Sequence, residues 1–161
     1  MTLHNIPPVY NEESSVLILG SFPSVRSREA AFYYAHPQNR FWKVLAEILG
    51  ASLPKTVEEK RLLLLSHHIA LWDVIASCEI TGSSDMSIRE VVPNDLSAIF
   101  AISPIRKIFC NGGTAFSLYQ KHDLTLFGLD AVRLPSTSPA NASFSTERLV
   151  CEWRQILQFL S

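Results

Sequence analysis

Four polar loops hold most of the side chains in this sequence that could do chemistry. They are Gly20-Ser21-Phe22-Pro23-Ser24, Asp73 with the loop after it, Asn111-Gly112-Gly113, and Pro135-Ser136-Thr137-Ser138-Pro139-Ala140-Asn141. Hydroxyls, carboxamides and a carboxylate of this kind recognise a polar ligand or hold a water, and the Asn111 amide offers both donor and acceptor. Glycine, serine, proline and asparagine also dominate ordinary turns, so one such loop by itself signals only a turn. Their joint placement says more: each follows a short apolar run, and open α/β sheets bind ligands at the carboxyl ends of such strands. Between the first two loops runs Phe32-Tyr33-Tyr34-Ala35-His36-Pro37-Gln38-Asn39-Arg40-Phe41-Trp42. It is an aromatic entrance to a helix, in which Asn39 suits an N-cap as well as a catalytic position.

Several other chemistries are disfavoured. Ser21 and Ser24 stand in no G-x-S-x-G elbow, which speaks against a small-molecule serine hydrolase. Cys78, Cys110 and Cys151 are odd in number and far apart, with no C-x-x-C. No disulfide framework, zinc site or iron–sulfur cluster is expected from them, and reducing cytosol suits them. His67-His68 falls between a helix and a strand and reads as structural or surface, with no metal-binding role. At a net charge of −1 no global field attracts nucleic acid, so such a partner would have to be recognised by a local face. No apolar run approaches the roughly 20 residues of a bilayer span, and the start of the chain has no secretory pattern.

The elements that must position these loops can be read from periodicity. Val16–Leu19, Ile69–Ile75, Ile105–Cys110 and Ala131–Leu134 are short apolar runs, the mark of strands covered on both faces. Apolar residues recur at helical spacing from Asn39 to Leu49, where Gly50 stops the helix. Thr56-Val57-Glu58-Glu59 reads as a capping box for a helix through Leu65. Asn94, Thr114 and Ser145 are expected caps of three further helices, the last with a stripe from Leu149 to Leu160. Residues 76–92 read as a long functional loop, and residues 1–15 as a surface segment preceding the first strand. Strands alternating with helices over 161 residues imply one domain, 1–161, built as a central, mostly parallel sheet with helices on both faces.

GSFPS at 20–24, YYAHPQNRFW at 33–42, ALWDVIASCE at 70–79 and LPSTSPANA at 134–142 occur in that order. Together they resemble the uracil-DNA glycosylase superfamily, and within it the hypoxanthine (deoxyinosine) branch, with mismatch-specific uracil enzymes as near relatives. The resemblance covers the chain from about Val16 into the final helix. It implies a three-layer αβα domain with a four-stranded parallel sheet, a cytosolic monomer of bacterial or archaeal type, and no metal or organic cofactor. The implied partner is DNA containing deaminated bases, with no membrane and no obligate protein partner. The implied reaction is hydrolysis of the bond between a flipped-out base and its deoxyribose.

The resemblance also assigns roles. Most of the superfamily holds the attacking water on an Asp or Asn at the third position of the first motif, but Phe22 stands there. The water then falls to Asn39, the implied catalytic residue. Gly20, Ser21 and Phe22 would line the base, Tyr34 would stack on it, and Asp73 or Asn111 would read its edge. The alternative for Asp73 is a loop cap or an ion pair with Arg89, and for Asn111 a left-handed turn residue. Pro23, Ser24, Ser136, Ser138, Pro139, Ala140 and Asn141 would meet the DNA backbone and the space the base vacates, with Arg26, Ser27 and Arg28 as further phosphate contacts. Leu134 replaces the histidine of the classical enzymes, and the second motif holds no large apolar wedge. Phe22 and the absent histidine keep open a non-catalytic nucleic-acid-binding homologue, and a mismatch-type uracil glycosylase is the other alternative.

Overall fold

A computed structural model describes residues 1–160; the last residue of the expected 1–161 domain lies outside them. The strands are β1 (Thr2–Leu3), β2 (Val16–Gly20), β3 (Ile69–Asp73), β4 (Ile75–Glu79), β5 (Arg89–Pro93), β6 (Lys107–Asn111) and β7 (Ala131–Leu134). The helices are α1 (Val25–Ala30), α2 (Phe41–Leu49), α3 (Val57–Ser66), α4 (Ser97–Ile102), α5 (Gly113–His122), α6 (Leu124–Phe127) and α7 (Thr146–Trp153), with a 3-10 turn at Asp85–Ser87 and another at Arg154–Phe159.

The expected central sheet is present, four parallel strands in the order β3-β2-β6-β7. Alternation along β2 divides the core between the two helical layers. Val16 and Ile18 pack with Phe41, Leu45, Leu64, Leu149 and Trp153 from α2, α3 and α7. Leu17 and Leu19 face the other way, onto Leu96, Ile99, Ala115 and Tyr119 around α4 and α5. With all five residues of β2 buried, this is the three-layer αβα arrangement.

Local signals behave as their chemistry dictates. Thr56 accepts the Glu59 N–H and Ser145 the Arg148 N–H, while Gly50 closes α2 in a left-handed conformation (φ 66°). Two expected caps fail. Asp95 accepts the Ser97 N–H ahead of α4, because Asn94 is turned inward to donate to the carbonyls of Asp73 and Ile75. Gly112, and not Thr114, stands at the cap position of α5.

Three larger expectations are corrected. The run Ile69–Ile75 is two strands, broken at Val74, whose N–H donates to the Gly20 carbonyl; beyond it the chain leaves the parallel sheet. Residues 76–92 are not one long loop: β4 and β5 form an antiparallel ladder with β1, leaving only about residues 80–88 as loop. Residues 1–15 do not simply cover the surface. Ile6 and Val9 are fully buried, Val9 exchanges backbone hydrogen bonds with Leu71, and Thr2 and Leu3 pair with Cys78 and Ser77. Isolated apolar residues among prolines show no periodicity, and the strand that β1 needs as a partner is itself invisible in the sequence. No helix among the described residues is long and apolar enough to cross a membrane.

Candidate active site

The four strand ends do converge. A cavity of about 730 Å³ opens over them, lined by Gly20–Ser24, Tyr34, Asn39, Asp73, Asn111, Leu134–Asn141 and the loop 83–86. It thus collects the residues expected to bind the base, hold the water and meet the backbone, apart from Arg26 and Arg28. A smaller depression between α2 and α7, lined by Lys43, Glu47 and Arg154, receives none of them.

The cavity floor is set by strand register. β2 pairs with β3 so that Gly20 lies beside Asp73. A β-carbon at Gly20 would strike the Asp73 carboxylate and come within 2.8 Å of the Tyr34 hydroxyl, so glycine is needed for both groups to reach the floor. Asp73 is 3% exposed. Its partner is not Arg89, which β5 carries to an exposed position, but His4: Nε2 lies 2.8 Å from Oδ2.

Asn39, Thr137 and Asn111 form one hydrogen-bonded chain. Asn39 Oδ1 accepts from the Phe41 N–H (2.9 Å) and the Thr137 hydroxyl (2.9 Å). Asn111 Oδ1 accepts the Thr137 N–H (3.0 Å), and Asn111 Nδ2 donates to Thr137 Oγ1 (3.0 Å). A backbone N–H can only donate, so these contacts fix the orientation of both amides. Asn39 therefore caps α2 and lines the cavity at once, with Arg40 in the formal cap position. Its Oδ1 is saturated, which leaves Nδ2 to serve the cavity. Asn111 meets Thr137 through both ends of its amide, which gives it a positioning part beside the base reading expected of it, and the left-handed turn falls on Gly112 (φ 96°).

Tyr34 stands in the left-handed region (φ 52°), with one ring face stacked on Phe41 at 4.1 Å. Its buried hydroxyl finds no hydrogen-bond partner among the described residues, although Asp73 and Asn111 lie near. Burial, reinforced by the Asp73 charge, drives this phenol far above its ordinary range, so it remains a donor at every relevant pH. Phe22 lies edge-on to His4 at 6.0 Å, beneath the Arg28 guanidinium at 5.5 Å. Tyr33 and Trp42 are core residues as expected: the Tyr33 hydroxyl donates to the Pro7 carbonyl and Trp42 Nε1 to the Tyr33 carbonyl.

The rims are pre-formed. Ser24 Oγ caps α1 by accepting the Ser27 N–H, and Arg28 donates to the Gly82 carbonyl. Both thus carry structural contacts at the rim where phosphate contacts are expected. The loop after β4 is pinned by Ser83 Oγ, which accepts the Val25 N–H, and by the Ser21 hydroxyl, which donates to Asp85 at 2.9 Å. Burial raises the Asp85 carboxyl above its ordinary range. At the tip of this pinned loop Met86 is 94% exposed. On the other rim Ser136 Oγ accepts the Ser138 N–H, Ser138 Oγ accepts the Ala140 N–H, and Asn141 Nδ2 donates to the Ser136 carbonyl. Arg40 fastens this loop to the start of α2 through the carbonyls of Phe144 and Asn141.

The sequence matches the family model described as the uracil DNA glycosylase superfamily over residues 7–159. The chain belongs to that superfamily. Among curated relatives of this superfamily member are two proteins named hypoxanthine DNA glycosylase. That from Methanosarcina acetivorans is 34% identical over 98% of this chain and 99% of its own; that from Methanosarcina barkeri is 33% identical over 88% and 89%. The solution NMR structure of a candidate uracil DNA glycosylase from M. acetivorans superposes with a TM-score of 0.83 at 33% identity, over 98% of both chains. Four residues of this glycosylase-family site were missed in the sequence. Thr137 is flanked by the two serines that drew attention, and Asp85 and Met86 fell within the 76–92 stretch read as a functional loop but were given no role of their own. His4 belongs to a segment with no visible periodicity, and nothing in the sequence placed it near Asp73.

Proposed function

We propose that this chain is a monofunctional DNA glycosylase that excises hypoxanthine from deoxyinosine by base flipping and water attack, with uracil as a secondary base. The observation that carries the reading is the cavity floor, where an acceptor, Asp73, and an unpartnered donor, the Tyr34 hydroxyl, meet over Gly20. Hypoxanthine presents an N–H beside a carbonyl. Asp73 Oδ1 accepts that N–H, and the backbone of the Gly20–Phe22 turn donates to the carbonyl. The base stacks against Phe22, a contact worth about 1–3 kcal/mol, and meets Tyr34, whose ring is stacked on Phe41, through its hydroxyl. The Tyr34 hydroxyl donates to a ring acceptor that gains charge as the bond breaks, which is where a preorganised donor helps most. Asn39 holds the water through Nδ2. An amide is no base at neutral pH, and none is needed when the bond breaks first and water meets a nearly formed sugar cation.

Extrusion from duplex costs a few kcal/mol. The loop Ser136–Asn141 pinches the backbone, and Met86, held out at the cavity rim, is the apolar side chain available to fill the vacated stack. Cytosolic location, a monomeric state and independence of metal or organic cofactors belong to the same proposal. The test uses matched duplex oligonucleotides carrying hypoxanthine, uracil or adenine, with alkaline cleavage of abasic product. Cleavage at hypoxanthine is expected, weaker cleavage at uracil, and none at adenine. Cleavage at uracil alone would select a mismatch-type uracil enzyme, and binding to abasic DNA with no cleavage anywhere a non-catalytic homologue. The second motif and the Asn39–Thr137–Asn111 chain argue against the latter.

A further inference from the structure

We propose that His4, far in sequence from every motif, is a positioning residue that fixes the base preference of the site by holding Asp73 as an acceptor. This rests on the glycosylase reading and adds to it the atoms that decide which edge is accepted. Asp73 and His4 are both buried, with side chains 5% and 3% exposed, and their contact measures 2.8 Å. The direction of the proton follows from a third group. The Ile6 N–H donates to His4 Nδ1 at 3.2 Å, so Nδ1 is the unprotonated nitrogen and Nε2 must carry the hydrogen. Nε2–H then donates to Asp73 Oδ2. The Ile6 amide thus makes Oδ2 the accepting oxygen of the pair. The relay Ile6 N–H, His4, Asp73 orients the carboxylate so that Oδ1 lies at the cavity floor beside Gly20 as an acceptor.

An acceptor at this point discriminates by hydrogen-bond polarity. Hypoxanthine carries N1–H between its carbonyl and C2, whereas adenine has a lone pair at N1 and an amino group in place of the carbonyl. A site with a fixed acceptor at N1–H and donors at the carbonyl meets adenine with like groups at both positions, and such mismatches are rejected far more strongly than a change of size. Without the His4 donor, Oδ2 is buried without its partner and the carboxyl is free to rotate or to present a hydrogen. The surrounding rings do not replace the donor: Phe22 and Trp72 meet His4 edge-on at 6.0 and 6.2 Å. The segment before Val16 is thereby part of the specificity machinery, anchored by the pairing of β1 with β4 and of Val9 with Leu71.

The experiment compares single-turnover release of hypoxanthine and of 1-deazahypoxanthine, in which N1–H is replaced by C–H, by wild type, His4→Gln and His4→Ala. Wild type should favour hypoxanthine strongly. His4→Ala should lose about ten- to hundredfold on hypoxanthine and little on the deaza base, so that the preference collapses. His4→Gln, whose amide N–H can reach Oδ2, should restore most of it, and it serves as the test should His4→Ala fail to fold. An equal loss on both bases would reduce His4 to a structural residue and overturn the inference, as would a preference unchanged in either variant. If wild type releases neither base, the glycosylase reading itself fails, a result distinct from both.

Discussion

Replacing Tyr34 by phenylalanine should make the protein more stable and less active. The ring keeps its stacking on Phe41 at 4.1 Å, the left-handed backbone at this position is unchanged, and only a buried hydroxyl without a partner is removed. An unsatisfied buried hydroxyl costs about 1–3 kcal/mol. For a chain of this size each kcal/mol moves Tm by roughly 2–4 °C, so a rise of about 2–12 °C is expected in differential scanning calorimetry without DNA. The same change removes a donor to a base that gains charge in the transition state. Hydrogen bonds to charged groups contribute about 1.5–3 kcal/mol, and single-turnover hypoxanthine release should slow by about ten- to hundredfold. A lower Tm would show that the hydroxyl is satisfied in the free protein, and an unchanged rate that it never meets the base; either refutes the reasoning.

Asn39→Ala should reduce hypoxanthine release by more than about a hundredfold while costing about 1 kcal/mol of stability through the lost cap at Phe41 N–H, read by single-turnover kinetics beside urea unfolding. Thr137→Val deletes the hydroxyl that joins Asn39 to Asn111; about 1–3 kcal/mol of stability and roughly tenfold in rate should go together, measured in the same two assays. Met86→Ala should slow release from duplex by about tenfold and leave release from single-stranded DNA unchanged, since only the duplex must be held open; equal rates on both substrates would remove Met86 from the extrusion step. Asp123, remote from the site, has its carboxyl pushed up from 3.8 to about 6, first by burial and then by Asp95. Below the lower value folded and unfolded chains both hold the proton; between the two only the unfolded chain releases it, so stability falls as pH rises and the full penalty is present above about 6. Asp123→Asn should therefore raise Tm at pH 7.5, lose that advantage below pH 4, and leave activity intact, as thermal melts across this range will show.

The sequence by itself determined the central sheet and most of the site. Strands such as Val16–Gly20 are apolar because both faces are covered, and a parallel sheet must deliver Gly20, Asp73, Asn111 and Pro135–Asn141 to one edge, so the site followed from local patterns and the direction of the strands. Gly50, Thr56 and Ser145 were legible as helix ends because capping acts within one turn. Tertiary structure decided what depends on contacts distant in sequence. The β1-β4-β5 ladder has no continuous apolar run, since its exposed edge tolerates Arg89 and Glu90, and its pairing is fixed by neighbours that the sequence does not display. The burial of Ile6 and Val9 depends on that ladder. Asn111 offered four plausible hydrogen bonds, and only the position of Thr137, 26 residues on, showed that it is tied through that threonine to Asn39. The partner of Asp73 lies 69 residues away: a carboxylate announces in sequence that it needs a donor, and only the packed chain reveals that the donor is His4, turned by the Ile6 amide.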